Sequence, residues 1–168
     1  MRGRLVTNTG PLIALAIIDR LDILRTLFTS VHIPQDVHDE MVQGGETRPG
    51  LDAYRQADWI AVEPGVPLDP LLSAVLDQGE AAVIALARSL EVDTVLIDER
   101  KARKVARDIY GIQVVGSARL LVEAKRQGVL DNVAAALQTM RVHGYWIHEA
   151  IVQYALREAG EQDDLVGK

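Results

Sequence analysis

Residues 94–107, TVLIDERKARKVAR, limit what this chain can fold into more than any other stretch. A short, largely apolar run at 94–97 ends in two carboxylates, Asp98 and Glu99, and passes directly into a helical pattern. Such a run reads as a strand buried on both faces, and a buried strand feeding a helix is the building unit of parallel sheets. In open sheets of this type, ligands gather beyond the carboxyl ends of the strands. Arg100, Lys101, Arg103, Lys104 and Arg107 crowd the following turns, although the positive end of a helix dipole disfavours cations there. Helix stability does not ask for that arrangement. Acids at a strand end with bases beside them suit a metal ion and a phosphate chain.

The same alternation recurs along the chain. Strands are predicted at 4–7, 31–33, 59–62, 94–97 and 113–115. Helices are predicted at 12–18, 21–28, 34–43, 51–57, 79–90, 99–110, 117–127, 132–142 and 148–159. Pro11 suits a first helical position, Ser117 suits an N-cap, and Gly111, Gly128 and Gly144 suit helix ends. Pro64, Gly65, Pro67 and Pro70 mark a loop. Strands alternating with helices predict an α/β protein with a mainly parallel sheet covered on both faces. A single domain is expected over residues 1–160, followed by a polar tail at 161–168.

Composition removes several classes. The chain has no cysteine, which excludes disulfides, thiolate metal sites and cysteine nucleophiles. No signal peptide is evident and no apolar stretch reaches transmembrane length, so a cytoplasmic protein with no membrane partner is expected. The net charge of −6 argues against gripping nucleic acid over the whole surface, while leaving room for a local basic patch beside a metal site.

Asn8, Glu40, Glu80 and Asp98 lie at or just beyond predicted element ends, and right-handed crossovers would bring those ends to one edge of the sheet. Each also has a plain structural reading. Asp98 suits a helix cap, although Lys101 stands where a capping-box acid would be. Glu80 suits a helix N-terminus, Glu40 a solvated face, and Asn8 a turn. Glu99 and Arg103 have the spacing of a helix-surface ion pair. The four histidines have no catalytic or metal-ligand spacing. A phosphoacceptor domain would need an acidic pair after the first strand, where Thr7-Asn8 stand instead.

Taken together, TNTGPLIALAIIDRLDILRTLF, VHIPQDVHDEMV, RPGLDAYRQADWI, GEAAVIALA and TVLIDERKARKVAR resemble a PIN domain of the DUF3368 branch, related to VapC-like ribonuclease toxins. The resemblance implies a three-layer α/β/α sandwich with a mostly parallel central sheet. It also implies an acidic cluster of Asn8, Glu40, Glu80 and Asp98, with Glu99 as an auxiliary ligand, holding Mg²⁺ or Mn²⁺. Thr9 is expected to orient Asn8 or a water, and Arg100, Lys101 and Arg103 to contact an RNA backbone. The implied activity is RNA phosphodiester hydrolysis leaving 5′-phosphate and 3′-hydroxyl ends, with a small antitoxin protein and a homodimer as expected partners. Residues 12–28 offer an apolar dimer surface. Asparagine at position 8, where nucleases of this kind usually carry aspartate, removes one negative charge from the site. It motivates the alternative of a weakened or inactive RNA- or protein-binding module.

Overall fold

A computed structural model describes residues 1–162, and in it all five predicted strands pair into one sheet. They are β1 (Arg4–Thr7), β2 (Ser30–Pro34), β3 (Ile60–Glu63), β4 (Thr94–Leu96) and β5 (Gln113–Val115). Their order is β3-β2-β1-β4-β5, and every neighbouring pair is parallel. The chain steps outward from β1 to β3, then returns to lay β4 against the free side of β1. This makes the β1/β4 boundary the switch point of the sheet, where connections diverge and leave a crevice at the strand ends. Thr7 pairs with Leu96 there, so Asn8 and Asp98 emerge on adjacent strands.

The crossovers are α1 (Thr9–Ile17) with α2 (Asp22–Leu27), α3 (Gln35–Gln43) with α4 (Leu51–Gln56), α5 (Pro70–Val75) with α6 (Gln78–Ser89), and α7 (Arg100–Asp108). Three helices follow β5: α8 (Ser117–Arg126), α9 (Val133–Val142) and α10 (Glu149–Ala159). Together they flank the sheet as an α/β/α sandwich. No helix among the described residues is long and apolar enough to cross a membrane.

Local chemistry explains the boundaries that sequence reading placed differently. Helix α5 lies in the region read as a loop. Asp69 caps it by accepting from Leu71 N–H at 2.9 Å, and Pro70 starts it. Proline at a first helical position loses no bond, so the same residue that suggests a breaker is here a starter. Helix α6 begins earlier than expected, because Asp77 and Glu80 form a reciprocal capping box. Helix α1 begins at Thr9, which moves Pro11 inside its first turn, and Ser117 is the first residue of α8 rather than its cap.

The core is aliphatic, with Leu5, Val6, Val95 and Leu96 of the central strands fully buried. Helix α6 is buried from Gly79 to Ala87, and its alanines let it pack closely against neighbours on several sides. The expected dimer surface at 12–28 is spent on this core. Leu12, Leu15, Ile23, Leu24 and Leu27 are buried within the protomer, so those side chains are not offered to a second copy.

Glu161, assigned to the polar tail by sequence, is 6% exposed and holds down the C-terminal helices. The left-handed Gly160 ends α10 and turns the chain, so that Glu161 accepts from Val133 N–H (2.9 Å), Ala134 N–H (2.7 Å) and Lys125 Nζ (2.5 Å). It caps α9 and ties it to α8. Burial pushes its pKa up, but these donors outweigh burial and hold it below the ordinary glutamate value. A depressed folded-state pKa stabilises the fold above the unfolded value and is lost as pH falls through the folded one. Glu161→Gln is therefore expected to cost about 1–2 kcal/mol at pH 7 in urea unfolding. The gap should close as pH drops below about 4. Residues 163–168 of the expected tail lie outside the described residues.

Candidate active site

The crevice at the β1/β4 boundary begins with Asn8. Its N–H donates to Leu96 O across the strands at 3.1 Å, and the residue is 9% exposed. As the N-cap of α1 it makes no side-chain capping bond, which leaves its amide for other work. Asp98 follows β4. It is not a helix cap, since Glu99 holds that position without a side-chain bond. Its carboxylate is fixed from elsewhere: Oδ1 accepts from Ser117 N–H at 2.7 Å, and Oδ2 accepts from Ser117 Oγ at 2.5 Å and from the Tyr145 hydroxyl. Oδ2 is thereby saturated, while Oδ1 keeps one lone pair.

Glu40 and Glu80 form a second group. Glu40 Oε2 accepts from Thr9 Oγ1 at 2.9 Å, so Thr9 orients Glu40 rather than Asn8. Glu40 also lies against Gly79, where a β-carbon would overlap its Oε1. Glu80 is 8% exposed, and Asp77 N–H donates to its Oε2 at 3.3 Å in the capping box. Burial raises the Glu80 pKa first, and the nearby acids Asp77 and Glu99 raise it further against the Asp77 N–H and Lys101. The helix N-terminus reading weighed for Glu80 is thus present, in the form of a capping box with Asp77.

A groove of about 920 Å³ opens from this edge. Asn8, Asp98, Glu99, Arg100 and Arg103 line it, whereas Thr9, Glu40, Glu80 and Lys101 do not. Among the described residues, no three Asp, Glu or His side chains converge closely enough to hold a metal ion. The expected cluster is therefore dispersed, with Asn8, Asp98 and Glu99 at the groove and with Glu40, tethered by Thr9, and Glu80 outside its lining.

The DUF3368 family model, described as a PIN domain, matches residues 4–161. This chain belongs to the PIN domain family. Neither the curated proteins nor the solved structures contain a significant match to it. Membership gives this PIN domain a nuclease-type fold, in a family whose nucleases usually use divalent metal ions.

The donors present fit such an ion in one specific way. They are hard oxygens: the Asn8 amide, the remaining Asp98 Oδ1 lone pair and the exposed Glu99 carboxylate on one side, and Glu40 and Glu80 on the other. Mg²⁺ is commonly held by one or two carboxylates, with water and substrate phosphate completing its shell. That suits two open groups better than a closed protein cage.

The basic residues divide in the same manner. Arg100 and Lys101 are exposed at the start of α7. Arg103 makes no ion pair with Glu99; it donates to Ile97 O at 2.9 Å and so braces the loop that carries Asp98. Burial lowers its pKa, while Asp98 opposes the shift.

Tyr145 is not among the residues that the sequence singles out. It lies in the loop between α9 and α10 and reaches across 47 residues of chain to Asp98. No local pattern announces such a contact. Burial and then Asp98 push its pKa well above the ordinary tyrosine value, so the phenol stays a donor. Tyr145→Phe is expected to lower unfolding free energy by about 1.5–3 kcal/mol, the range for a hydrogen bond to a charged group. It should leave the tyrosinate absorbance rise below pH 11 unchanged, because this phenol does not ionise there. Urea unfolding and an alkaline absorbance titration check both expectations.

Proposed function

We propose that this PIN domain is a divalent-metal-dependent endoribonuclease that works at the β1/β4 crevice. The observation that carries the reading is Asp98: it stands at the switch point beside Asn8, held in one orientation by Ser117 and Tyr145, with Glu99 next in sequence. Ser117 and Tyr145 neither compete for the free Oδ1 lone pair nor let the carboxylate rotate. Asp98, Asn8 and Glu99 would hold Mg²⁺ or Mn²⁺, with Glu40 and Glu80 supplying negative charge from the adjoining group. A bound ion would supply Lewis-acid polarisation of the scissile phosphate and lower the pKa of an attacking water. Arg100 and Lys101 face the incoming backbone, Thr9 holds Glu40 in place, and Arg103 keeps the Asp98 loop from shifting.

The toxin role in a toxin–antitoxin pair, a small antitoxin partner, a homodimer, and a cytoplasmic single domain that takes in Glu161 belong to the same proposal. They are supported by the resemblance to VapC-like toxins. The test is cleavage of single-stranded and structured RNAs with Mg²⁺, Mn²⁺ or EDTA, comparing the natural chain with Asp98→Asn. Metal-dependent cleavage lost in the variant supports the reading. Equal cleavage in both, or none with any ion, overturns it.

Asn8 favours a second reading. One missing carboxylate weakens the hold on a cation, and a chain that keeps the fold without turnover would act as a binding module. Absence of Mn²⁺ binding by calorimetry, together with no gain of cleavage in Asn8→Asp, selects that reading.

A further inference from the structure

The groove that starts at Asn8 and Asp98 continues well past them, between α8 and α10. On the α8 side, Ala118, Arg119, Val122 and Arg126 present one face at helical spacing. On the other side, Trp146 and Tyr154 remain in solvent, at 71% and 49% exposure. Rings left this exposed along one groove ordinarily mark a binding surface. Trp146 is also held in place. The Arg141 guanidinium lies 5.7 Å from its ring centroid, and Arg141 is itself paired with Glu149 at 2.8 Å. Arg141 does not line the groove, so it supports the ring from outside and leaves the groove side of Trp146 free.

Charge narrows the choice of occupant. Four arginines line the groove against three carboxylates, in a chain whose net charge is −6. Arg126 is taken by Glu158 at 2.7 Å and Arg103 by Ile97 O. Arg100 and Arg119 are exposed and make no ion pair or hydrogen bond among the described residues. A partner helix docking by its apolar face would leave Arg100 and Arg119 without a counter-charge, whereas a polyanion meets both while its apolar parts meet the rings on the opposite wall. Aromatic faces beside cations match a polyanion with flat apolar bases. They match it only as a single strand, since bases in a duplex have no free face to offer.

We propose that this groove is a track for single-stranded nucleic acid, with bases stacked on Trp146 and Tyr154 and phosphates met by Arg100 and Arg119. The track leads the strand to the Asn8–Asp98 end. The proposal rests on the nuclease reading of that end and adds to it how the strand is held and in which form.

The test separates binding from cleavage by working in EDTA. Fluorescein-labelled oligoadenylate and its duplex with oligouridylate are titrated by anisotropy against the full chain and its Trp146→Ala, Trp146→Phe, Tyr154→Ala and Arg119→Glu variants. The chain has two tryptophans, so a Trp59→Phe background leaves Trp146 as the sole indole reporter. Expected is quenching of that indole by the single strand and not by the duplex. Affinity should fall about 5- to 100-fold in each alanine variant, the range for losing one base stack, and be largely retained in Trp146→Phe. Arg119→Glu should weaken binding and flatten its salt dependence.

The proposal is overturned by unchanged affinity in both alanine variants, by equal binding of the duplex, or by no oligonucleotide binding at all. It is likewise overturned if sedimentation shows the groove closed by a second copy in a dimer that Trp146→Ala disrupts and oligonucleotide does not. Because both residues are exposed, folded variants are expected, and circular dichroism verifies them. A chain that binds through Trp146 and never cleaves keeps the track and loses the proposed activity. One that cleaves while Trp146→Ala binds normally does the reverse.

Discussion

Asp98→Asn lowers kcat/KM for metal-dependent RNA cleavage by about two orders of magnitude or more, the scale seen when one charge-stabilising group is removed from a reacting centre. Its fold survives the change. The amide oxygen can keep the Ser117 N–H bond, and the amide NH₂ can donate its two hydrogens to the Ser117 and Tyr145 hydroxyls, both of which also accept. The expected stability loss is therefore only about 1 kcal/mol. Asp98→Ala behaves differently, because it leaves the Ser117 amide and two hydroxyls without their acceptor, and should cost about 3 kcal/mol or more in addition to activity. Initial rates with Mn²⁺ alongside urea unfolding distinguish the two. If asparagine were to retain the natural rate, charge at this position would have no part in the chemistry.

Asn8→Asp is the converse substitution. It sets a second carboxylate on the strand next to Asp98, where neighbouring strands run about 5 Å apart. At an effective dielectric near 20, two like charges at that separation repel by about 3 kcal/mol. The metal-free variant should therefore be less stable than the natural chain, or hold a proton at the pair. A divalent cation reverses the sign. Mn²⁺ affinity is expected to rise about 10- to 100-fold, and the melting temperature to become strongly dependent on Mn²⁺. Calorimetric titration and thermal melts with and without the ion measure both. An unchanged affinity would place the cation away from the β1 end and return the functional weight to Glu40 and Glu80.

The strands were legible because each is a short, largely apolar run bounded by polar or turn residues and too brief for a helix of ordinary length. Their order was not. Pairing β4 with β1 joins segments separated by most of the chain, and no local signal encodes it. Two misreadings were avoidable in part. Asp77-Gln78-Gly79-Glu80 has the spacing of a capping box, and Pro70 following Asp69 has the look of a helix start. In the candidate site, Asn8 and Asp98 stand out from the sequence because they end strands. Ser117 was read as a helix cap, since its real task, two bonds to Asp98, is visible only once β5 lies beside β4. Glu40 was found as an acid on α3, but its tether to Thr9 depends on how α3 crosses the sheet edge.

The Glu161 fastening sets an order in time. Asn8 and Asp98 are made early, and the sheet edge that carries them is complete once β4 has paired with β1. Tyr145 arrives later, on a loop whose two flanking helices are bolted together only when Glu161 reaches the start of α9. A ribosome building this chain therefore carries the acids at the crevice well before their last restraint exists. The Trp146–Tyr154 wall of the groove rests on the same fastened helices. Loss of the Glu161 contacts would therefore release Tyr145 and loosen Asp98 without disturbing the sheet edge that carries it.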